Sequence, residues 1–302
     1  MTTETDDELS PQEDTTWFGV FNAECIVIVI INAFTIFAFA RKCHLRKRAT
    51  YLIINLTMAD LLVGAVTLPL FIYYPKEIEP GHGFSWRKLI CLTFRNVYPL
   101  TSQANLCLIS LERLHATLYP FRHCLTQKWV YFRIIIGSWS IALLLSCVMA
   151  FLDLCVPEVF PYAWASYIVL TLLILTISYT IINYSVKGNP VPHNSGSVVS
   201  DRKLSVTLFI VTVVSTLTTL PKAIWLSIPE DIRRLSQLSY AATESVHFTL
   251  LGLYLANSMV NPVIYAIRMQ EFRKAVKQFT CKRAREPRNV VHAQQENGEV
   301  KL

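Results

Sequence analysis

Charge is what this chain lacks. Only 16% of its 302 residues are Asp, Glu, Lys or Arg, while 53% are hydrophobic. A soluble domain carries about 25% charged residues, so the deficit excludes an ordinary water-facing surface and points to lipid. The opening segment has no base at all, only the acids Glu4, Asp6, Asp7, Glu8, Glu13 and Asp14. Without a basic stretch ahead of an apolar run, no cleavable secretory signal is expected, and residues 1–17 are expected to be disordered. Internal repeats are absent, and so is any nucleophile–base pair or metal-ligand cluster at useful spacing within the apolar stretches. An intramembrane enzyme therefore has little support.

What is present is a series of long apolar windows. A membrane-crossing helix needs roughly 20 mostly apolar residues, and such windows fall near 18–40, 51–74, 89–111, 130–154, 163–186, 204–228 and 243–267. Lipid offers no partner to an open backbone N–H or C=O, so each window is expected to be helical. The expected fold class is all-α: a seven-transmembrane helix bundle over 18–267. Phe272, Ala275, Val276 and Phe279 then recur at helical spacing beside Arg273, Lys274 and Lys277. That is the pattern of a short amphipathic helix in the membrane surface over 268–281, followed by a polar tail over 282–302. Cys281 is either a palmitoylation site or an ordinary thiol.

Lysine and arginine mark the cytoplasmic side of a membrane protein. "RKCHLRKR", after the first window, carries five, and the segments that share its side hold 21 of the 28 Lys/Arg. This places the N-terminus outside. The net charge of +7 is spread over these loops; it is a topology signal and does not describe a nucleic-acid surface. Of eight cysteines, Cys91 and Cys155 lie near outer loops, and a bridge between them is expected in that oxidising compartment.

An ionised side chain at mid-membrane costs about 2.5–3.5 kcal/mol on insertion scales, so each one is a functional candidate. With a rise of about 1.5 Å per residue, Asp60, Ser102, Asn257 and Asn261 share a depth roughly 9–15 Å above the cytoplasmic boundary. A carboxylate among hydroxyl and amide oxygens suits a hard cation, Na⁺ first; interhelical hydrogen bonding alone is the other reading. Pro221 in "TTLPKAIW" and Pro262 in "NPVIY" each remove a helical hydrogen bond and bend their helices. The stretch "SLERLHATLYPFRH" ends the third window on Glu112 and Arg113, and Asp201 opens the sixth on the same side. Either Asp201 reaches Arg113 and clamps the two helices, or it caps the positive end of its own helix.

Taken in order, Asn32, Asp60 in "NLTMAD", "LERL", Trp139 and "NSMVNPVIY" resemble the rhodopsin-like (class A) G-protein-coupled receptors over roughly residues 20–281. The resemblance implies a plasma-membrane receptor that passes the binding of an extracellular small-molecule or peptide ligand to a heterotrimeric G protein. By position, it implies that Glu112 and Arg113, with Asp201, restrain the inactive state. Tyr179 and Tyr265 would meet in the active state, and Asp60, Ser102, Asn257, Ser258 and Asn261 would form a sodium pocket. The seventh window has no lysine, so a retinal Schiff base is excluded there. Several positions depart from the family pattern. Leu114 replaces the tyrosine after the arginine, Thr219 the tryptophan before Pro221, and Thr171 the proline of the fifth window. Pro99 is unusual in the third, and Cys91 lies about one helical turn nearer Arg113 than the family places it.

Arg95 occupies the position where amine receptors carry an aspartate, so a biogenic amine would meet a like charge. Lys222, one residue past Pro221, also lies in the outer half. Two cations invite an anionic ligand held by charge-assisted hydrogen bonds, with Tyr98, Glu244 and His247 as neighbouring candidates. The alternative is internal: Arg95 pairs with Glu24, Glu244 or another acid, and Lys222 snorkels outward. The tail from Gln270 holds one hydroxyl residue, Thr280, so arrestin recruitment is expected to depend on Ser195, Ser197, Ser200 and Ser205. The terminal "VKL" suits strand addition to a PDZ groove. The rival reading is a transporter or channel using the Asp60 cavity, and no repeat of broken helices favours it.

Overall fold

The computed structural model describes residues 11–41, 48–73, 84–188, 196–228 and 240–268. Its elements are α1 (Pro11–Arg41), α2 (Arg48–Leu62), a π-helical turn (Val63–Thr67), α3 (Leu68–Tyr73), α4 (Trp86–Leu118), α5 (Pro120–Leu125), α6 (Lys128–Cys155), α7 (Phe160–Gly188), α8 (Gly196–Ser227) and α9 (Tyr240–Arg268). The apolar windows all fall on helices, and the described residues contain no strand. Among the described residues, five segments are both long and apolar enough to cross a bilayer: Thr15–Arg41, Thr50–Ile72, Lys128–Cys155, Phe160–Ser185 and Phe209–Ser227. α4 and α9 are as long, at 33 and 29 residues, but more polar. α4 can be, because it packs against α2, α6, α7 and α8 and its buried face carries Asn96, Ser102, Gln103, Asn105 and Arg113.

The surface is the reverse of a soluble protein's. Ile26, Ile30, Phe34, Ile136, Leu144, Leu170 and Ile177 face outward, while Asn32, Asn55, Asp60, Asn105 and Asn261 are buried. Large apolar faces of this kind require a lipid surround. Inside, two apolar clusters stack along the bundle. The inner one includes Leu52, Leu56, Leu106, Tyr179, Val211 and Ile264. The outer one includes Val63, Leu100, Trp164, Ala223, Tyr254 and Leu255. Asp60, Ser102 and Asn261 fall between them along their helices, so the polar layer is enclosed on both sides.

The helix irregularities have named causes. Proline has no N–H to bond the carbonyl four residues back. Pro99 thus leaves the Arg95 carbonyl open, and the Thr67 hydroxyl donates to it at 3.0 Å. Pro262 leaves the Ser258 carbonyl open, and Asn32 Nδ2 donates to it, also at 3.0 Å. Each replacement bond is worth about 0.5–1.5 kcal/mol net, and each ties a neighbouring helix to the bend. Gly64 in the π-helical turn permits the close approach of α1: a Cβ there would lie 2.7 Å from Ile28 Cγ2.

Two boundaries differ from the sequence expectation. α1 begins at Pro11, inside the segment expected to be disordered. Trp17 supplies the reason, packing its ring 6.0 Å from Phe21 and 5.7 Å from Phe248 of α9. Between the fifth and sixth apolar windows, which end at 186 and begin at 204, α7 runs on to Gly188 and α8 already starts at Gly196. The surface helix expected over 268–281, Cys281 and the tail lie outside the described residues apart from Arg268, which ends α9.

Candidate functional site

Three polar constellations lie along the bundle. In the middle, Asp60 of α2 is fully buried. Ser102 of α4 donates to its Oδ1 at 2.6 Å and Asn261 of α9 to its Oδ2 at 2.7 Å. Ser258, one turn before Asn261 on α9, is buried in the same layer. Three helices thereby meet on one acid, as their shared depth predicts. Asn257 is buried too, but it accepts from Thr218 of α8 at 3.4 Å and is not bonded directly to Asp60 among the described residues. Asn261 Oδ1 is buried without a partner. Carboxylate, hydroxyl and amide oxygens are the donor types that hard cations take, so the chemistry of these residues is compatible with Na⁺.

At the inner end of α4, Glu112 and Arg113 form a bidentate pair, Nε to Oε2 at 2.5 Å and Nη2 to Oε1 at 2.9 Å. Both side chains are nearly closed to solvent, 7% and 6% exposed. Neighbours on a helix point about 100° apart and do not ordinarily face each other, so both chains wrap around the helix end to meet. A second set of partners fixes the acid. His123 Nε2 lies 2.8 Å from Glu112 Oε1, and the Tyr131 hydroxyl donates to that oxygen at 3.3 Å.

The local sequence explains how His123 arrives there. Pro120 disfavours helical geometry at the residue before it. α4 therefore stops at Leu118, Tyr119 turns at φ −128° and ψ 60°, and Pro120 opens α5. The short helix carries His123 back beneath Glu112. Sequence reasoning missed both His123 and Tyr131, although the histidine closes the very stretch that contains the pair; the Tyr-Pro turn was the available signal.

Asp201 is the sixth residue of α8, which starts at Gly196. It is not the helix cap, and that alternative is corrected. The side chains of Asp201 and Tyr265 lie outside those described. Tyr179 is buried in the inner cluster, its ring edge-on to Phe209 at 5.4 Å. Pro221 and Pro262 are both interior to their helices.

In the outer half, Arg95 Nη2 bonds Asp153 Oδ2 of α6 at 2.9 Å, and its guanidinium lies over the Phe71 ring at 4.8 Å. The internal partner is thus "another acid" rather than Glu24 or Glu244, and Asp153 was not foreseen. Lys222 does not snorkel outward: it is buried at 7% exposure. Tyr98 sets its ring edge-on against Trp139 of α6 at 6.2 Å. Glu244 and His247 are half-buried on α9, with His247 against Phe248.

The expected disulfide is not seen in the structure. Cys91 and Cys155 are both free thiols. Cys91 lies a full turn inside α4 and Cys155 is the last residue of α6. A further hydrogen-bonded chain, absent from the sequence reading, joins three helices: Trp139 Nε1 donates to Asn55 Oδ1 at 2.9 Å, and Asn55 Nδ2 to Asn105 Oδ1 at 2.7 Å.

Comparison with known proteins bears on this geometry. Residues 31–265 match the 7 transmembrane receptor (rhodopsin family). Dopamine receptor 4 of Caenorhabditis elegans is 32% identical over a stretch covering 40% of this chain and 24% of that protein. The substance-K receptor of Bos taurus is 23% identical, covering 88% of this chain and 75% of the relative. The neuromedin-K receptor of Cavia porcellus is 24% identical, covering 86% and 64%. The chain thus spans less than two thirds of the dopamine and neuromedin-K receptors it matches.

Proposed function

The chain belongs to the rhodopsin family of seven-transmembrane receptors, a family of receptors and not of enzymes, and we propose that it converts extracellular ligand binding into activation of a heterotrimeric G protein. On this reading it lies in the plasma membrane with its N-terminus outside, the orientation that the basic loops favour. The observation that carries the reading is the closed Glu112–Arg113 pair at the inner mouth. Removing one member of a buried ion pair costs about 3–5 kcal/mol, because the other charge is left alone. Arg113 therefore leaves Glu112 only when another partner takes it, and a G protein entering the inner mouth offers one. An external ligand shifts this two-state equilibrium by the difference in its affinity for the two states. The enclosing apolar clusters above and below Asp60 disfavour an ion path through the bundle.

The dopamine receptor match does not transfer its ligand. Arg95 is held in the outer half by Asp153, and a second cation, Lys222, is buried there. A biogenic amine would be repelled, and an anionic ligand is the complementary partner. Within the polar layer, Asp60, Ser102, Ser258 and the open oxygen of Asn261 would hold Na⁺ and stabilise the resting arrangement of α2, α4 and α9. Arrestin contacts, on this reading, use the serines before and within α8, and the terminal "VKL" offers a weaker PDZ contact.

The direct test is nucleotide exchange on a panel of purified G proteins with the full chain in lipid nanodiscs. The chain is expected to accelerate exchange on at least one, and Arg113→Ala to return it to the level of empty nanodiscs. No acceleration on any member would sink the receptor reading. Na⁺ is expected to slow basal exchange relative to K⁺, and Asp60→Asn to abolish that difference; equal rates in the two salts would remove the ion from the account.

A further inference from the structure

We propose that Lys222 receives the carboxylate of a small apolar monoanion in the outer half of the bundle, with Arg95 as a second donor. This rests on the receptor reading and specifies the chemistry of its ligand. Three charged groups set the balance. Arg95 and Asp153 are joined at 2.9 Å. Lys222, one residue beyond Pro221 in the interior of α8, has no acidic partner within ion-pair reach among the described residues, and α8 packs against α4, which carries Arg95. Two cations therefore stand against one carboxylate, leaving one positive charge unmatched at a side chain that is only 7% exposed.

The bundle's other poorly satisfied acid does not resolve this. Glu24 of α1 is buried with Oε1 unpartnered, and no ion pair joins it to Lys222 among the described residues. A buried charge without a counter-charge is strongly unfavourable, so a buried amine either gives up its proton or takes up an anion; a ligand from outside the chain supplies that anion, because no acid is paired with Lys222 among the described residues. Arg95 can contribute to its capture, because its Nε is buried without a partner while Nη2 is engaged by Asp153. The surplus is one charge, which matches a carboxylate; a phosphate group, at about −1.5 to −2, would overshoot it. The surroundings select the rest of the ligand. Ala223, next to Lys222, belongs to the outer apolar cluster with Trp164, Tyr254 and Leu100, so an uncharged apolar body is the complement.

The proposal is tested on the purified full chain in phosphatidylcholine nanodiscs, with unfolding midpoint as the readout and no G protein present. The probes are octanoate, benzoate and 4-phenylbutyrate, each beside its carboxamide. At least one acid is expected to raise the midpoint while its amide does not. Lys222→Gln should weaken that acid roughly tenfold or more, Lys222→Arg should retain it, and Arg95→Gln should weaken it less than Lys222→Gln. A second measurement needs no ligand: Lys222→Gln should raise the midpoint of the unliganded chain, since an unmatched buried charge is removed. A lower midpoint would reveal an internal partner and overturn the proposal, as would acids and amides acting equally or no acid acting at all. Failure here leaves the exchange assay untouched, and failure of exchange leaves these binding results standing, so the two readings are separable.

Discussion

The two ends of this bundle treat buried charge in opposite ways. At the inner mouth, Arg113 and Glu112 satisfy each other, and His123 and Tyr131 complete the acid's shell. In the outer half, Arg95 is satisfied by Asp153 but Lys222 is left over. A self-satisfied pair holds a conformation until a competitor replaces one member, whereas an unmatched charge waits for something to arrive. The first suits a latch and the second suits a ligand site. Between them lies Asp60, bonded to groups on two further helices, so movement at either end is felt in one place.

The largest test of this contrast is one of sign. Glu112→Leu strands Arg113 in a site only 6% exposed and is expected to destabilise the unliganded chain by about 3–5 kcal/mol, whereas neutralising Lys222 is expected to stabilise it. Paired thermal unfolding curves in nanodiscs check both, and two shifts of the same sign would erase the distinction between the ends. Asn32→Ala comes next. It leaves the Ser258 carbonyl, already deprived by Pro262, without its 3.0 Å donor, and should cost about 1–3 kcal/mol while leaving acid binding at Lys222 unchanged. The smallest effect is expected for His123→Ala, which removes one contact from Glu112 and spares both bonds to Arg113. Basal nucleotide exchange should rise, by less than when Glu112 itself is neutralised.

Much of the fold was legible because lipid makes a severe demand. Twenty consecutive apolar residues have few other uses, so the windows located α1 to α4 and α6 to α9, but not the short α5. Asp60, Ser102 and Asn261 were legible for the same reason, since polar side chains at one depth in apolar helices have only each other. Two kinds of feature were hidden. Pairings between distant residues, such as Arg95 with Asp153 or Asn55 with Asn105 and Trp139, depend on which helix faces which, and no local pattern encodes that. The carriage of His123 back to Glu112 depends on a turn geometry at Tyr119 whose direction is visible only in the folded chain. The expected bridge between Cys91 and Cys155 is not seen, both being free thiols in the structure.

Glu112 holds Arg113 in the proposed resting state. Basal nucleotide exchange by the full chain and its Glu112→Gln variant, each in nanodiscs with the same G protein and matched for folded protein, measures that claim. Exchange is expected to rise several-fold in the variant and to vanish when Arg113→Ala is added. An unchanged or lower basal rate in a well-folded Glu112→Gln chain would contradict it.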